Sequence, residues 1–196
     1  MHLLKHRSIR FYLVFFVILA IAIGGSVAAF ADSPVAQVAV GTGGLSETGP
    51  ANVSANAVTL NGANQTTPYT LGIAVNDDTG TGTGWNLTIT STQFTVTGSS
   101  CGTNHPLSTT ASTITGVAVA NNGGGTYTQP TNNISNTSLS VPAGCPALTP
   151  VKFFNATANS GMGHFTITPT ISIAIPANAY AGTYTSTVTL AVVSGP

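Results

Sequence analysis

Gly84-Trp85-Asn86-Leu87-Thr88-Ile89-Thr90 is the stretch of sequence that decides the fold of this chain. Apolar residues alternate here with Asn or Thr, which is the period-two pattern of a strand with one buried and one wet face. Similar alternation recurs at residues 70–76, 151–154, 163–168, 171–175 and 183–193. Threonine, which is β-branched and favours strands, supplies much of the polar face. We therefore predict an all-β chain, folded as a single antiparallel β-sandwich.

The pattern also predicts how individual strands are arranged. We expect a first strand at 35–40 and a short one at 57–60. The strand at 70–76 and the Trp85 strand are expected to pair as a hairpin across the loop 77–84. Pro169 is expected to interrupt the strand pattern between 163–168 and 171–175. The last strand is expected to run through 183–193, with only Ser186 breaking its apolar face.

The first 31 residues have the pattern of an export signal. Lys5, Arg7 and Arg10 precede an apolar run at 11–23, and Ala29-Phe30-Ala31 forms a cleavage site. That run is shorter than the roughly 20 apolar residues of a membrane-spanning helix. We predict a signal peptide at 1–31, no membrane insertion after its removal, and one secreted domain at 32–196.

The exported part carries very little charge. Lys152 is its only lysine or arginine, against the carboxylates of Asp32, Glu47, Asp77 and Asp78, so its formal charge is −3. A nucleic-acid interface needs several cations to neutralise phosphates, and an anionic membrane surface needs a basic cluster. The composition excludes both kinds of partner.

The two cysteines lie in a long region of loop character. Residues 98–150 are rich in Gly, Pro and Asn, and within them only 114–120 has a strand pattern. An even cysteine count in an exported protein favours a disulfide, here between Cys101 and Cys145. A metal site is disfavoured because only His105 and His164 are available as further ligands of that type. We expect one long loop region tied down by this bridge.

The acidic and histidine residues do not form a catalytic pattern. Residues 77–80 (Asp-Asp-Thr-Gly) admit a calcium loop, but they lack the alternating Asp/Asn pattern of known loops, so a solvated turn is favoured. Glu47 is isolated, and neither His105 nor His164 has an acidic or cysteine neighbour at a suitable spacing. We predict a protein that is not an enzyme, with no cofactor and no bound metal.

Two segments resemble the WxL domains of Gram-positive cell surfaces. The first is Gly84-Trp85-Asn86-Leu87, followed by Thr92-Gln93-Phe94-Thr95, and the second is the closing stretch 181–192, which begins Ala-Gly-Thr-Tyr. Family members have a second Trp-x-Leu in the last strand, whereas this chain has Leu190-Ala191-Val192. The resemblance implies an extracellular WxL-like or immunoglobulin-like sandwich, held non-covalently at the cell wall. Its implied partner is peptidoglycan or another surface protein.

The candidate binding residues are Trp85, Leu87 and Tyr184. A binding face lined by aromatic, Thr and Asn side chains would use Trp85 as its main contact. The alternative for Trp85 is core filling. For Tyr184 the alternative is a hydrogen bond to the backbone at a sheet corner. Phe153 and Phe154 are adjacent, so one of them should be exposed or covered by the long loop.

A second function remains open from the sequence. A nearly uncharged, Thr-rich β protein also suits a structural subunit of a surface layer or filament. Such a subunit would self-associate by adding a strand to the edge of a neighbour's sheet. The closing strand at 183–193 would be the donor or the edge.

Overall fold

The computed structural model describes residues 35–96, 105–125, 127–146 and 148–196. The chain divides into two units, residues 1–40 and residues 41–196. In the first unit, residues 35–40 are exposed and form no strand, so the predicted first strand is wrong. Cys101 and the signal at 1–31 lie outside the described residues, so the Cys101–Cys145 bridge and the export signal stay predictions.

The described part of the second unit contains strands and no helix, which confirms the all-β prediction. The strands are β1 (Leu45–Thr48), β2 (Gln65–Thr70), β3 (Ile73–Asp77), β4 (Trp85–Ser91), β5 (Thr95–Val96), β6 (Ser112–Asn121), β7 (Leu139–Ser140), β8 (Val151–Ala156), β9 (Gly163–Ile175), β10 (Tyr184–Thr185) and β11 (Val188–Ser194). The strand predicted at 114–120 is confirmed within β6. The one predicted at 57–60 is wrong: that segment forms no strand and is largely exposed.

The strands form three sheets, and every ladder between them is antiparallel. The largest has the order β1-β3-β9-β6-β7, with β2 also paired to β9. A three-stranded sheet has the order β11-β4-β8, and a two-stranded one joins β10 to β5. Side chains from the six-stranded and three-stranded sheets contribute to the same hydrophobic core. Its largest fully buried members include Trp85, Leu87, Ile89, Ile73, Val75, Phe153, Phe154, Phe165, Ile167 and Ile171.

Strand β9 runs without a break through Pro169, so the predicted interruption is wrong. The Pro169 carbonyl accepts a hydrogen bond from Leu71 N (3.1 Å). The nitrogen of an extended residue points to the same side as its carbonyl, so the missing N–H of Pro169 faces the junction between β2 and β3. These two strands pair with opposite halves of β9. The proline is tolerated because the neighbouring ladder is already interrupted there.

The predicted hairpin between the strand at 70–76 and the Trp85 strand is also wrong. Strand β3 already has β1 on one edge and β9 on the other, so it has no free edge for β4. The connection after Asp77 instead carries the chain into the three-stranded sheet, where β4 pairs with β8 and β11. The two strands nevertheless line the same core, to which β3 contributes Ile73 and Val75 and β4 contributes Trp85, Leu87 and Ile89.

Adjacent Phe153 and Phe154 are both buried, which excludes either ring as an exposed contact surface. Leu87 lies opposite Phe154, but the next residue, Thr88, lies opposite Lys152, so Phe153 is an extra residue in β8. Such a bulge re-aims side chains that a regular strand would send to opposite faces.

The closing stretch forms two strands rather than one, and they belong to different sheets. The change of sheet falls at Ser186, where the predicted pattern was interrupted. Ser186 Oγ donates to the Thr92 carbonyl (2.6 Å), and Thr187 N donates to Thr92 Oγ1 (2.8 Å). The predicted alternation survives the change, since Tyr184, Val188, Leu190 and Val192 are half-buried and the threonines between them are exposed.

Candidate functional site

The structure places Trp85 in the interior. Its side chain is 0 % exposed and stacks on Phe154, with ring centroids 5.3 Å apart. The indole Nε1 donates a hydrogen bond to the carbonyl of Gly161 (2.8 Å). Because burial of a Trp requires a partner for its N–H, this bond completes the core-filling arrangement. The ring has no exposed face in this conformation on which a ligand can lie.

Leu87 is interior as well and lies two residues after Trp85, on the same face of β4. It is fully buried and lies between Phe154 of β8 and Val192 of β11. The two apolar residues of the first Trp-x-Leu are therefore neighbours in the core. They hold the three-stranded sheet against the six-stranded one and present no surface of their own.

Tyr184 is half-buried and is tied to the turn that precedes it. Its hydroxyl donates to the backbone carbonyl of Tyr180 (3.1 Å), which is the backbone-bonded alternative expected at a sheet corner. Strand β10 then fixes Tyr184 opposite Val96. Tyr184 thus anchors the turn that carries Tyr180.

Tyr180 is the aromatic residue that the sequence analysis missed. It is 57 % exposed and stacks on His105, with ring centroids 3.5 Å apart and an interplanar angle of 16°. The sequence signal was present as an aromatic residue inside the Pro/Gly-bounded turn 176–182, a position with no strand pattern to bury it. The paired rings form a flat, exposed aromatic surface.

A cleft of about 320 Å³ is lined in part by residues that are close in sequence to the two rings. One wall comes from Ser108, three residues after His105, and another from 174–176, which lead into the Tyr180 turn. Residues 64–66 complete the lining, which therefore combines amide and hydroxyl groups with the apolar residues Ala174, Ile175 and Pro176. The side-chain oxygen of Gln65 is buried without a hydrogen-bond partner in the part of the chain that the structure describes.

The cleft and the Tyr180–His105 pair contain no carboxylate and no lysine or arginine. Asp78 lies elsewhere and pairs with His164 Nε2 (2.9 Å). Across the described ranges no group of three His, Cys, Asp or Glu residues forms a possible metal site. The described residues contain no helix, and so none that is long and apolar enough to cross a membrane.

A family model described as "WxL domain surface cell wall-binding" matches residues 42–196. The chain belongs to the WxL family. The match confirms the resemblance carried by the Trp85 segment and the closing stretch, and it makes this WxL protein an extracellular, cell wall-associated one. No curated protein and no solved structure shows a significant match to it.

The position of the second Trp-x-Leu in this WxL domain lies on the edge strand β11. Leu190 is half-buried, packs against the core and lies opposite Ile89 of β4. Val192 lies opposite Leu87 in the same way. The substituted residues therefore keep the apolar face of β11 on the core, which explains how the fold is retained without the second tryptophan.

Proposed function

We propose that this WxL domain holds its protein on the cell wall by non-covalent, non-catalytic binding of the peptidoglycan glycan. The contact surface of this proposal is the exposed Tyr180–His105 pair together with the cleft lined by residues 64–66, Ser108 and 174–176. The observation that carries the proposal is Tyr180 itself, an aromatic ring that is largely exposed and yet held in place by stacking and by the Tyr184 hydrogen bond.

The chemistry of this surface matches a sugar. A pyranose ring has apolar C–H faces that stack on aromatic rings, and its edge carries hydroxyl and acetamido groups. Tyrosine offers a large, rigid ring with a polar tip, so it orders at low entropic cost. The amides of Asn64 and Gln65 and the Ser108 hydroxyl supply hydrogen-bond groups in the cleft.

The low charge of the surface also bears on the ligand. A protein that recognised the phosphates of an anionic wall polymer would need arginine or lysine at the contact. The only such residue in the exported chain, Lys152, lies on β8 and does not line the cleft. Binding to the neutral glycan should accordingly change little between low and high salt, since neither the cleft nor the Tyr180–His105 pair contains a carboxylate, lysine or arginine whose charge salt could screen.

The proposal gives a supporting, structural role to Trp85, Leu87 and Tyr184. Trp85 and Leu87 stabilise the core on which the surface is built, and Tyr184 positions the Tyr180 turn. The proposal also includes export by the signal at 1–31, a single sandwich over 32–196 and a Cys101–Cys145 bridge. The bridge would attach the segment before His105 to the one after Ala143, and so stabilise one side of the surface.

Sedimentation of the exported protein, residues 32–196, with washed sacculi tests the proposal. Tyr180→Ala should reduce the sedimenting fraction, with the apparent Kd about tenfold weaker for the loss of one stacking contact. Tyr180→Trp should retain binding. Val193→Ala, at an exposed apolar position on β11, is the matched control and should bind like the wild type.

Equal binding of the Tyr180→Ala and wild-type proteins would place the contact elsewhere on the domain. The family match gives no support to the alternative of a filament or surface-layer subunit. That alternative would win if no protein sedimented with sacculi while concentration-dependent oligomers appeared in light scattering.

A further inference from the structure

The connection between β3 and β4 has a composition that the function above does not use. Residues 79–84 read Thr-Gly three times in succession. All three glycines have positive φ, +66° at Gly80, +65° at Gly82 and +75° at Gly84, a conformation that glycine adopts without steric cost. The three threonine hydroxyls follow one another in a row.

The row is continuous and starts from a buried carboxylate. Asp77, at the end of β3, is 5 % exposed, and its Oδ1 accepts hydrogen bonds from Thr79 Oγ1 (2.6 Å) and Thr79 N (3.1 Å). Thr79 Oγ1 lies 3.0 Å from Thr81 Oγ1, which lies 3.1 Å from Thr83 Oγ1. Thr83 Oγ1 lies 3.2 Å from Ser194 Oγ at the end of β11. Thr81, Thr83 and Ser194 are exposed.

The carboxylate and the contact distances determine the direction of the protons along this row. A carboxylate only accepts, so Thr79 uses its single hydroxyl proton on Asp77. Thr81 then donates to Thr79. The shorter of two contacts assigns the Thr83 proton to Thr81 Oγ1 (3.1 Å) rather than to the Gly84 carbonyl (3.4 Å), so Ser194 donates to Thr83. Thr79 Oγ1 accepts from Thr81 N (3.5 Å) as well as from Thr81 Oγ1, but the hydroxyl oxygens of Thr81 and Thr83 each accept one bond within the row, so a lone pair of each of these two remains for a partner outside. The hydroxyl row is thus an acceptor surface whose own donors are all consumed, and bonds in such a chain strengthen one another.

We propose that the hydroxyl row Thr79–Thr81–Thr83–Ser194 is a second binding subsite, which recognises the hydroxyl and acetamido N–H donors of a wall glycan. This inference rests on the proposed function and adds a contact to it. A ligand that offers only acceptors, such as a phosphate, meets lone pairs and is rejected. The space beside Gly80 is open, since a Cβ there would meet no other atom within 4 Å.

The subsite lies at the other end of the three-stranded sheet from the aromatic surface. The row adjoins Trp85, where β4 begins, whereas the Tyr180 turn leads into β10, whose partner β5 follows the end of β4. Two weak contacts on one polymer raise the apparent affinity without either being strong, since the second contact forms at high effective concentration.

Thr81→Val and Thr83→Val are the test variants, because valine keeps the branched shape and removes the hydroxyl. Thr189→Val, an exposed threonine of β11 that has no part in the row, is the control. In sedimentation with sacculi we expect about a fivefold to tenfold weaker apparent Kd for the first two variants, the effect of one or two hydrogen bonds. The control should bind like the wild type.

Three further readouts distinguish the possible outcomes. If the row merely stiffens the connection, the Thr81→Val protein will unfold at lower urea concentration but bind sacculi normally, which overturns the subsite. Amide chemical shifts of residues 79–83 in the wild type should move on titration with a soluble chitooligosaccharide, and unmoved shifts overturn it as well. Binding that is lost in EDTA and restored by Ca²⁺ would make the row a cation site instead. If Tyr180→Ala loses binding and Thr81→Val does not, the proposed function is supported and this subsite is refuted. If the wild-type protein does not sediment with sacculi, both proposals are refuted.

Discussion

The indole nitrogen of Trp85 and the carbonyl oxygen of Gly161 lie 2.8 Å apart and form a buried hydrogen bond between β4 and the connection from β8 to β9. The bond couples the family's signature residue to the stretch that joins the two larger sheets. In this structure the tryptophan is therefore part of the core, and we propose that the surface that meets the wall is formed by other side chains.

Trp85 is the only tryptophan in the chain, so its fluorescence reports on this position alone. We expect blue-shifted emission that iodide does not quench, because the ring is fully enclosed, and a red shift on unfolding in urea. Addition of solubilised glycan should leave the emission unchanged. An emission shift or protection from acrylamide on glycan addition would instead mean that the ring opens toward the ligand.

Replacement of Trp85 should lower stability more than affinity. Trp85→Ala removes a buried aromatic side chain and should cost about 3–5 kcal/mol in the free energy of unfolding. Trp85→Phe keeps most of the packing but leaves the Gly161 carbonyl without its donor, at a cost of about 1–3 kcal/mol. Urea unfolding measures both. The folded fraction of the Phe variant should bind sacculi with wild-type Kd, and a large loss of affinity in that fraction would return Trp85 to the binding surface.

Gly161 should tolerate no side chain. Its φ is +74°, and a Cβ there would lie 2.8 Å from Trp85 Nε1 and 3.0 Å from the Cβ of Ala156. Gly161→Ala should therefore cost about 1 kcal/mol for the backbone and a further 1–3 kcal/mol for the clash. Gly62→Ala is the control, since its φ is +80° but a Cβ would meet nothing within 4 Å. An equal loss in the free energy of unfolding of the two variants would show that a Cβ at position 161 does not clash with Trp85.

Stability should fall in strong alkali because of Tyr69. Burial on β2 raises the pKa of this phenol from 10.0 to about 12. Between these values the unfolded chain loses a proton that the folded protein keeps, so the free energy of unfolding decreases as pH rises from 10 toward 12 and is unaffected by Tyr69 below that window. The total effect is at most about 3 kcal/mol.

Urea titrations on either side of pH 10, with Tyr69→Phe as the control, test this dependence. The Phe variant should lose the part of the alkaline slope that Tyr69 contributes. An unchanged slope in that variant would assign the alkaline loss to other groups.

Much of the fold follows from residue alternation. The patterns at β9 and the closing stretch predicted which side chains face the core, and these predictions depend only on the two-residue period of a strand. At β4 the predicted apolar face is buried, but Asn86 and Thr90 of the face predicted to be wet are buried too, and at β8 a bulge buries both Phe153 and Phe154. Pairing was less predictable, because it depends on which edges are free. The connection after Asp77 looks like a hairpin loop locally, yet β3 is flanked on both sides by strands from elsewhere in the chain.

For the candidate site as well, local sequence patterns were informative, whereas tertiary position was not predictable. The Trp85 segment identified the family correctly, but a tryptophan that opens an alternating strand has the same local pattern whether its ring is a platform or part of the core. Tyr180 has no strand pattern to draw attention to it, and its partner His105 lies 75 positions earlier in the sequence. Only the tertiary structure brings the two rings together.

The position of β4 between β8 and β11 also affects how the protein folds during export. Both neighbours of β4 come later in the chain, and the Asn86 side chain donates to a carbonyl 109 residues away, at Gly195. Contacts so distant in sequence form slowly, because a long loop must close before they contribute. We expect an N-to-C translocating chain to keep β4 without neighbours until residues 151–156 and then 188–194 emerge. The late arrival of these strands would keep the polypeptide loose enough to thread through a narrow channel, and the native sheet would form on the outer side of the membrane.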